Sequence, residues 1–208
     1  MRDEAEPRSQ GHQVQVMAAV AQARERLRIA LTRPDALLHE LAAVVTDLVE
    51  APVVVALLEP AWEGGNRLVR RAIAGSPGVA VGTPVFTDGT VCGEALLAGR
   101  PVRVPDMADA PESVHAAACC PGARSLLSVP LLDGPLVVGV VSALSERPDW
   151  FDRMDERTVA LVVQIAGPQL AALPPYPYGA ERPGPSGAGR RTTTSRRPSG
   201  TPSTAWRC

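Results

Sequence analysis

Hydrophobic residues recur at helical spacing in two segments near the beginning of the chain. The first segment predicts a lead-in helix over residues 13–33, and Arg24 interrupts its apolar stripe, which leaves only a weak coiled-coil signal. The second predicts an amphipathic helix from about residue 34 to Pro52, because apolar positions follow one another every three or four residues. The two stripes consist of Met17, Val20, Leu27 and Leu31, and of Leu37, Leu38, Leu41, Val44, Val45, Leu48 and Val49.

Runs of β-branched and aliphatic residues between turn signals predict strands in the next part of the chain. The predicted strands are Val53–Leu58, Leu68–Ile73, Val102–Val104, Ser125–Leu132 and Leu136–Leu144. A short helix over Val91–Ala98 and a final helix from about Asp152 to Leu173 complete the pattern. Residues 74–88 are rich in Gly and Pro and predict loop, and residues 106–122 predict a long crossover segment. The order of elements predicts an α+β fold, an antiparallel sheet flanked by helices.

Composition changes at both ends of this folded body, which spans residues 34–173. Residues 1–12 are polar and charged, and they predict a flexible N-terminus without an apolar signal sequence. Residues 174–208 are dense in Pro, Gly, Ser, Thr and Arg and almost lack aliphatic residues, so they predict a disordered tail. Arginines in this tail could bind phosphate-bearing surfaces, but a solvated tail is the simpler interpretation. We therefore do not expect nucleic acid as a partner.

The charge and side-chain inventory excludes several kinds of chemistry. The formal net charge is −1 and lysine is absent from the sequence, which excludes a Schiff-base lysine and a phosphate-loop lysine. The cysteines form no C-x-x-C pair, so we predict neither a metal site nor a disulfide framework. The apolar stretch 126–144 contains the turn signal Asp133-Gly134-Pro135 and predicts two strands rather than a membrane span. We expect a cytoplasmic protein without a cofactor.

Four short motifs in the body resemble those of the GAF domain family. Residues 91–106, VCGEALLAGRPVRVPD, are similar to the family's short helix, its G-R-P-V turn and the strand that ends in Asp. Residues 124–131, RSLLSVPL, are similar to its S-x-x-x-V-P-L strand. Gly139-Val140-Val141 and Phe151-x-x-x-Asp155-Glu156 follow in the family's usual order. Each motif is weak alone, but four in sequence at the family's spacing indicate the fold.

The resemblance implies a six-stranded antiparallel sheet with helices on one face and a ligand pocket between the other face and the crossover segment. GAF domains sense small molecules, redox state or light, or serve as dimerisation modules, and the fold alone does not choose among these. We interpret the chain as a non-catalytic sensory or regulatory protein in signal transduction that binds an unknown small molecule. Polar residues that can face such a pocket are Glu94, Asp106, His115, Arg124, Ser128 and Ser142.

An enzymatic alternative comes from a weaker, local resemblance to free methionine-(R)-sulfoxide reductases, which are stand-alone GAF proteins. Val91-Cys92-Gly93 and the order of His115 and Cys119 before the V-P-L strand are similar to that family. Its chemistry needs a thiolate, a resolving cysteine and carboxylates that hold the substrate ammonium. The family's carboxylate positions correspond here to Leu126, Ser142 and Leu144, and other family positions are changed to Gly82 and Cys120. The missing carboxylates favour a protein that is not an enzyme.

Other functional subtypes of the family fit the residues less well. Cyclic-nucleotide-binding GAF domains carry Asn-Lys where Leu144-Ser145 stands here. A haem would use His115 as axial ligand and a bilin a Cys-His pair, but aromatic residues make up only 3% of the chain and no Cys precedes a His. A thiol redox sensor using Cys92, Cys119 and Cys120 stays open, with Arg124 near enough in sequence to lower a thiol pKa. Small, semi-buried cysteines are the simpler interpretation.

The final helix determines how a signal would leave the domain. In signalling proteins this helix commonly continues into a coiled coil that drives an output module. Here Gly167-Pro168 lies inside the helix and Pro174-Pro175 follows it. A Pro in a helix interior removes a hydrogen bond and clashes with the preceding turn. The sequence therefore predicts a helix broken at Gly167-Pro168 and output through a homodimer or a partner signalling protein.

Overall fold

The helices and strands fall close to the predicted positions. The computed structural model describes residues 10–60, 65–75, 78–109 and 122–174, so His115, Cys119, Cys120 and nearly all of the predicted tail lie outside the described residues. The helices are α1 (Gln10–Ala30), α2 (Pro34–Val49), α3 (Val91–Ala98) and α4 (Arg153–Ala171). The strands are β1 (Val53–Pro60), β2 (Asn66–Ala74), β3 (Pro84–Val85), β4 (Val102–Val104), β5 (Ser125–Asp133) and β6 (Leu136–Ser145).

The strands form one antiparallel sheet in the order β3-β2-β1-β6-β5-β4, which confirms the predicted α+β fold with six strands. The sixth strand, β3, pairs with Leu68 and Val69 and lies in a region whose Gly and Pro content predicted only loop. The central strands β1 and β6 pair from Val53 opposite Ala143 onward. Hydrophobic alternation therefore divides the residues of each central strand between two faces of the sheet.

The first face of the sheet is covered by α2 and α4, on which α1 packs in turn, and carries the main hydrophobic core. Val53, Val55 and Leu57 of β1 point into this core, which also includes the fully buried Leu27 of α1. Met17, which the predicted apolar stripe turns inward, is 66% exposed. Helix α1 lies where the lead-in helix was predicted, and burial of its inner face stabilises its packing on α2 and α4.

Helix α4 begins with a capping box. The Asp152 side chain accepts hydrogen bonds from the backbone N–H groups of Met154 and Asp155, at 2.7 and 2.9 Å. The Asp155 side chain in turn accepts from the backbone N–H of Asp152, at 2.8 Å. These bonds satisfy donors that a helix start leaves open, and they explain why the Phe-x-x-x-Asp-Glu motif stands at this point of the chain.

The predicted break at Gly167-Pro168 is wrong, because α4 continues through Pro168 to Ala171. Pro168 removes the hydrogen bond to the carbonyl group of Gln164, but both residues are on the exposed side of α4, and the packing of the helix on α2 and β5 holds it together past the proline. Gly167 packs directly on β5, since a Cβ atom there would lie 2.0 Å from the carbonyl oxygen of Leu132. The glycine therefore serves close helix-to-strand packing rather than termination of the helix.

A bulge in β2 turns two adjacent arginines in different directions. The register of β1 and β2 shifts between Val55 and Ala56, so that Ala56 faces Arg70 and Arg71 is the additional residue. Arg71 donates hydrogen bonds to the buried carboxylate of Glu59, at 2.7 Å, and to the carbonyl oxygen of Pro174, at 3.1 Å. Arg71, held by this buried ion pair, therefore links the chain beyond α4 to the β1–β2 hairpin.

Candidate functional site

The second face of the sheet carries a chain of buried hydroxyl and thiol groups. Ser128 of β5 and Ser142 of β6 are opposite each other, and their Oγ atoms lie 2.9 Å apart. The Sγ atom of Cys92, in the first turn of α3, lies 3.3 Å from the Oγ of Ser142. All of these side chains are buried, so each hydroxyl is satisfied within the protein rather than by solvent.

Apolar side chains fill the remainder of this face. Leu126 and Leu144 pair directly across β5 and β6, and both are buried beside Val91 and Ala95 of α3. The cavity that remains next to Cys92, Ser142 and Arg70 measures about 10 Å³, which is room for one water molecule. The described residues that line this cavity leave too little room for a metabolite.

Helix α3 lies flush on this face for a local reason. Thr90 caps the helix by accepting a hydrogen bond from the backbone N–H of Gly93, at 3.0 Å. There is no room for a side chain at Gly93, because a Cβ atom there would lie 1.7 Å from the carbonyl oxygen of Thr87. Glu94, the next residue, is exposed on the outer side of α3 rather than turned toward the sheet.

Asp106 and Arg124 join the two ends of the crossover segment to each other. The guanidinium group donates two hydrogen bonds to the carboxylate, of 2.9 and 2.5 Å, and the backbone N–H of Met107 donates to the Arg124 carbonyl at 2.6 Å. The side-chain hydrogen bond from Arg124, aided by the N–H of Ala108, lowers the pKa of Asp106 to about 2. These two predicted pocket residues therefore neutralise each other at the base of the crossover.

A groove of about 470 Å³ opens at one end of the sheet, where β1 begins and β6 ends. This strand-end groove has apolar walls made by Pro52, Ala123 and Leu144 and by the ring of Trp150. The indole N–H donates to the carbonyl oxygen of Val49 at 2.9 Å, which fixes the ring between α2 and the loop that leads to α4. The volume is in the range that small-molecule sites occupy.

Charged side chains surround the strand-end groove. Glu50, Glu146 and Arg147 line it, and the guanidinium carbon of Arg147 lies 5.1 Å from the centre of the Trp150 ring. Glu50 and Glu146 are exposed, and within the described part of the chain neither carboxylate makes a hydrogen bond or ion pair. Glu50 also has a positive φ of 50°, as does Asp149, beside Trp150, at 55°.

The structure separates the predicted site residues into groups. It brings Cys92, Ser128 and Ser142 together inside the second face and pairs Asp106 with Arg124, while Glu94 stands apart. Sequence reasoning missed the strand-end groove. Trp150 and its neighbour Arg147 were the available signal, since an aromatic residue beside a cation just after a strand commonly marks a binding surface.

Comparison with known proteins agrees with this architecture. The family model of the GAF domain matches residues 33–172. Because that match covers more than half of the chain, the protein belongs to the GAF domain family. No curated protein sequence matches the chain. Of the described residues, no group of His, Cys, Asp and Glu is arranged to hold a metal ion, and no helix is both long and apolar enough to cross a membrane.

Solved structures with this fold include free methionine-R-sulfoxide reductases and a GAF domain of a phosphotransferase. The free methionine-R-sulfoxide reductase of Neisseria meningitidis, solved with its substrate, is 25% identical with a TM-score of 0.58, covering 82% of this chain and 96% of that one. The type II reductase of Thermoplasma acidophilum is 20% identical with a TM-score of 0.54, covering 66% and 94%. The GAF domain of an Acinetobacter phosphoenolpyruvate-protein phosphotransferase is 16% identical with a TM-score of 0.60, covering 73% and 92%.

Proposed function

We propose that this protein is a non-catalytic sensory or regulatory GAF protein of the cytoplasm that binds a small molecule and signals as a homodimer or through a partner protein. The observation that supports this proposal is the buried pair Leu126 and Leu144 on the second face of the sheet. The reductase resemblance assigns substrate-binding carboxylates to these positions. Leucines cannot hold an ammonium group, and burying that group without a partner is costly.

Ligand binding and catalysis can be tested on one preparation of the full chain. We expect native mass spectrometry of protein purified from its own host to show a bound small molecule, and re-addition of that molecule to raise the Tm. The same preparation should leave free methionine-(R)-sulfoxide unconsumed in the presence of dithiothreitol. Failure to detect any ligand, by mass spectrometry and by a thermal-shift screen of metabolites, would contradict the proposal.

The reductase remains a second candidate because of its 25% identity to the Neisseria meningitidis enzyme over 96% of that chain. In this case, turnover of free methionine-(R)-sulfoxide would depend on cysteine thiols. Cys119→Ser would then abolish turnover, whereas Cys208→Ser, a matched change near the chain end, would leave it intact. Turnover with this pattern would replace the non-catalytic proposal with the enzymatic one.

A further inference from the structure

The strand-end groove has the composition of a ligand site, whereas the described residues of the second face leave almost no free space. Its volume of about 470 Å³ contrasts with about 10 Å³ beside Cys92 and Ser142. Apolar walls with a few charged groups at the rim are the usual composition of small-molecule sites. If a small molecule binds this protein, as proposed above, the strand-end groove offers the space that the described residues of the second face lack.

Two carboxylates at the rim determine the charge that this groove accepts. Glu50, the C-terminal cap of α2, and Glu146, directly after β6, both line the groove and are exposed. Like charges that line one groove repel each other. In the described residues neither carboxylate is neutralised by a cation, although Arg147 lies in the same groove. A bound cation would relieve this repulsion.

The aromatic wall already holds a cation. Arg147 lies over the face of the Trp150 indole, with 5.1 Å between the guanidinium carbon and the ring centre. Cations lie favourably at this distance because they are attracted to the negative face of the aromatic ring. The Trp150 ring is held in place by its hydrogen bond to Val49, so it provides a fixed surface for a planar or quaternary cation.

We propose that the strand-end groove binds a small organic cation, whose ammonium or guanidinium group lies against Trp150 and pairs with Glu50 and Glu146. This inference rests on the proposed small-molecule-binding function and names the class of ligand. Arg147 competes with the ligand for the Trp150 ring and adds a positive charge to the groove. Removing its charge therefore strengthens binding, while removing either carboxylate weakens it.

Calorimetric titration of the full chain with agmatine, which carries a guanidinium and an ammonium group, tests the proposal. Succinate and an equal ionic strength of sodium chloride are the anionic and salt controls. We expect agmatine alone to bind saturably, Glu146→Gln and Glu50→Gln to weaken it about tenfold, and Arg147→Gln to strengthen it. Glu94→Gln removes an exposed carboxylate outside the groove and should leave the Kd unchanged.

The outcomes separate this proposal from the broader function. Absence of saturable agmatine binding, or a Kd that Glu50→Gln and Glu146→Gln leave unchanged, overturns the cation site. If another molecule is then found bound by native mass spectrometry, the small-molecule-binding function stands without it. If no molecule binds, both proposals fail. The exposed positions of the substituted side chains make misfolding a poor explanation, and an unchanged ligand-free Tm checks this.

Discussion

Glu50 ends α2 in a backbone conformation that favours glycine. Its φ of 50° and ψ of 43° are left-handed, which crowds the Cβ of any other residue. We expect Glu50→Gly to raise the free energy of unfolding by about 1 kcal/mol, measured by urea denaturation. Glu50→Ala is the matched control, because it removes the carboxylate and keeps the Cβ. An equal gain from alanine would show that charge, and not backbone strain, is responsible.

The buried hydroxyl pair on the second face should behave as one unit. Ser142→Ala leaves the buried hydroxyl of Ser128 without the partner it has in the wild type and should lower the free energy of unfolding by about 1–3 kcal/mol. Ser128→Ala leaves Ser142 with the Cys92 thiol, so its loss should be the smaller of the two. In the double variant no orphaned hydroxyl remains between the two positions, so its loss should be smaller than the sum. A double-mutant cycle in urea measures the coupling. Strict additivity would mean that the contact contributes nothing.

Strand alternation predicts side-chain direction well and side-chain partners poorly. In β5, alternation puts Ser128 and Val129 on opposite faces, and the structure has Val129 in the main core and Ser128 on the second face. That Ser142 and Cys92 meet Ser128 depends on the pairing of β5 with β6 and on the position of α3. Asp106 and Arg124 were both predicted to face a pocket, but they bind each other, because crossover geometry is set by tertiary contacts.

At the scale of the element, adjacent residues of α4 should respond in opposite ways to alanine. Gly167→Ala improves helix propensity, but its Cβ would collide with the Leu132 carbonyl, so we expect a loss of about 1–3 kcal/mol. Pro168→Ala restores a backbone N–H at an exposed position and should stabilise the protein by up to about 3 kcal/mol. Thermal and urea unfolding measure both. A stabilising Gly167→Ala would contradict the close packing of α4 on β5.

Periodicity identifies elements that are long enough to display it. Both hairpins and all four helices of the described chain were predicted within a few residues of their bounds. Strand β3 was missed because two residues at a sheet edge show no alternation. Only the pairing of these residues with Leu68 and Val69 defines the strand. The break at Pro168 was wrong because the local cost of the proline is outweighed by the packing of α4 on α2 and β5.

At the scale of the whole molecule, the described residues fill both faces of the sheet and leave room at its ends. The first face is covered by α2 and α4, with α1 packed on these helices, and α3 lies on the second face. The sequence motifs predicted the sheet and its helices, but the strand-end groove forms from residues of α2, β1, β6 and the loop before α4. No single motif contains these residues, so only the assembled fold reveals the groove.

The pairing of Asp106 with Arg124 should also make the stability of the whole molecule depend on pH in the acid range. The folded pKa of Asp106 is about 2, below the usual value of 3.8, so the unfolded chain takes up this proton first as the pH falls. The contribution is therefore complete above the unfolded pKa and is lost as the pH approaches the folded pKa. We expect the difference in unfolding free energy between wild type and Asp106→Asn to shrink between about pH 5 and pH 2.

Urea unfolding at several pH values measures this difference, with Asp133→Asn, at the β5–β6 turn, as the matched control. The control variant removes a carboxylate outside the crossover pair, so an equal change with pH in this variant would trace the effect to net charge rather than to the pairing with Arg124. A gap between wild type and Asp106→Asn that stays constant with pH would show that Asp106 acts by its shape and hydrogen bonds alone. A difference that shrinks as the pH falls would show instead that the ionised Asp106, paired with Arg124, stabilises the contact between the two ends of the crossover beside the strand-end groove.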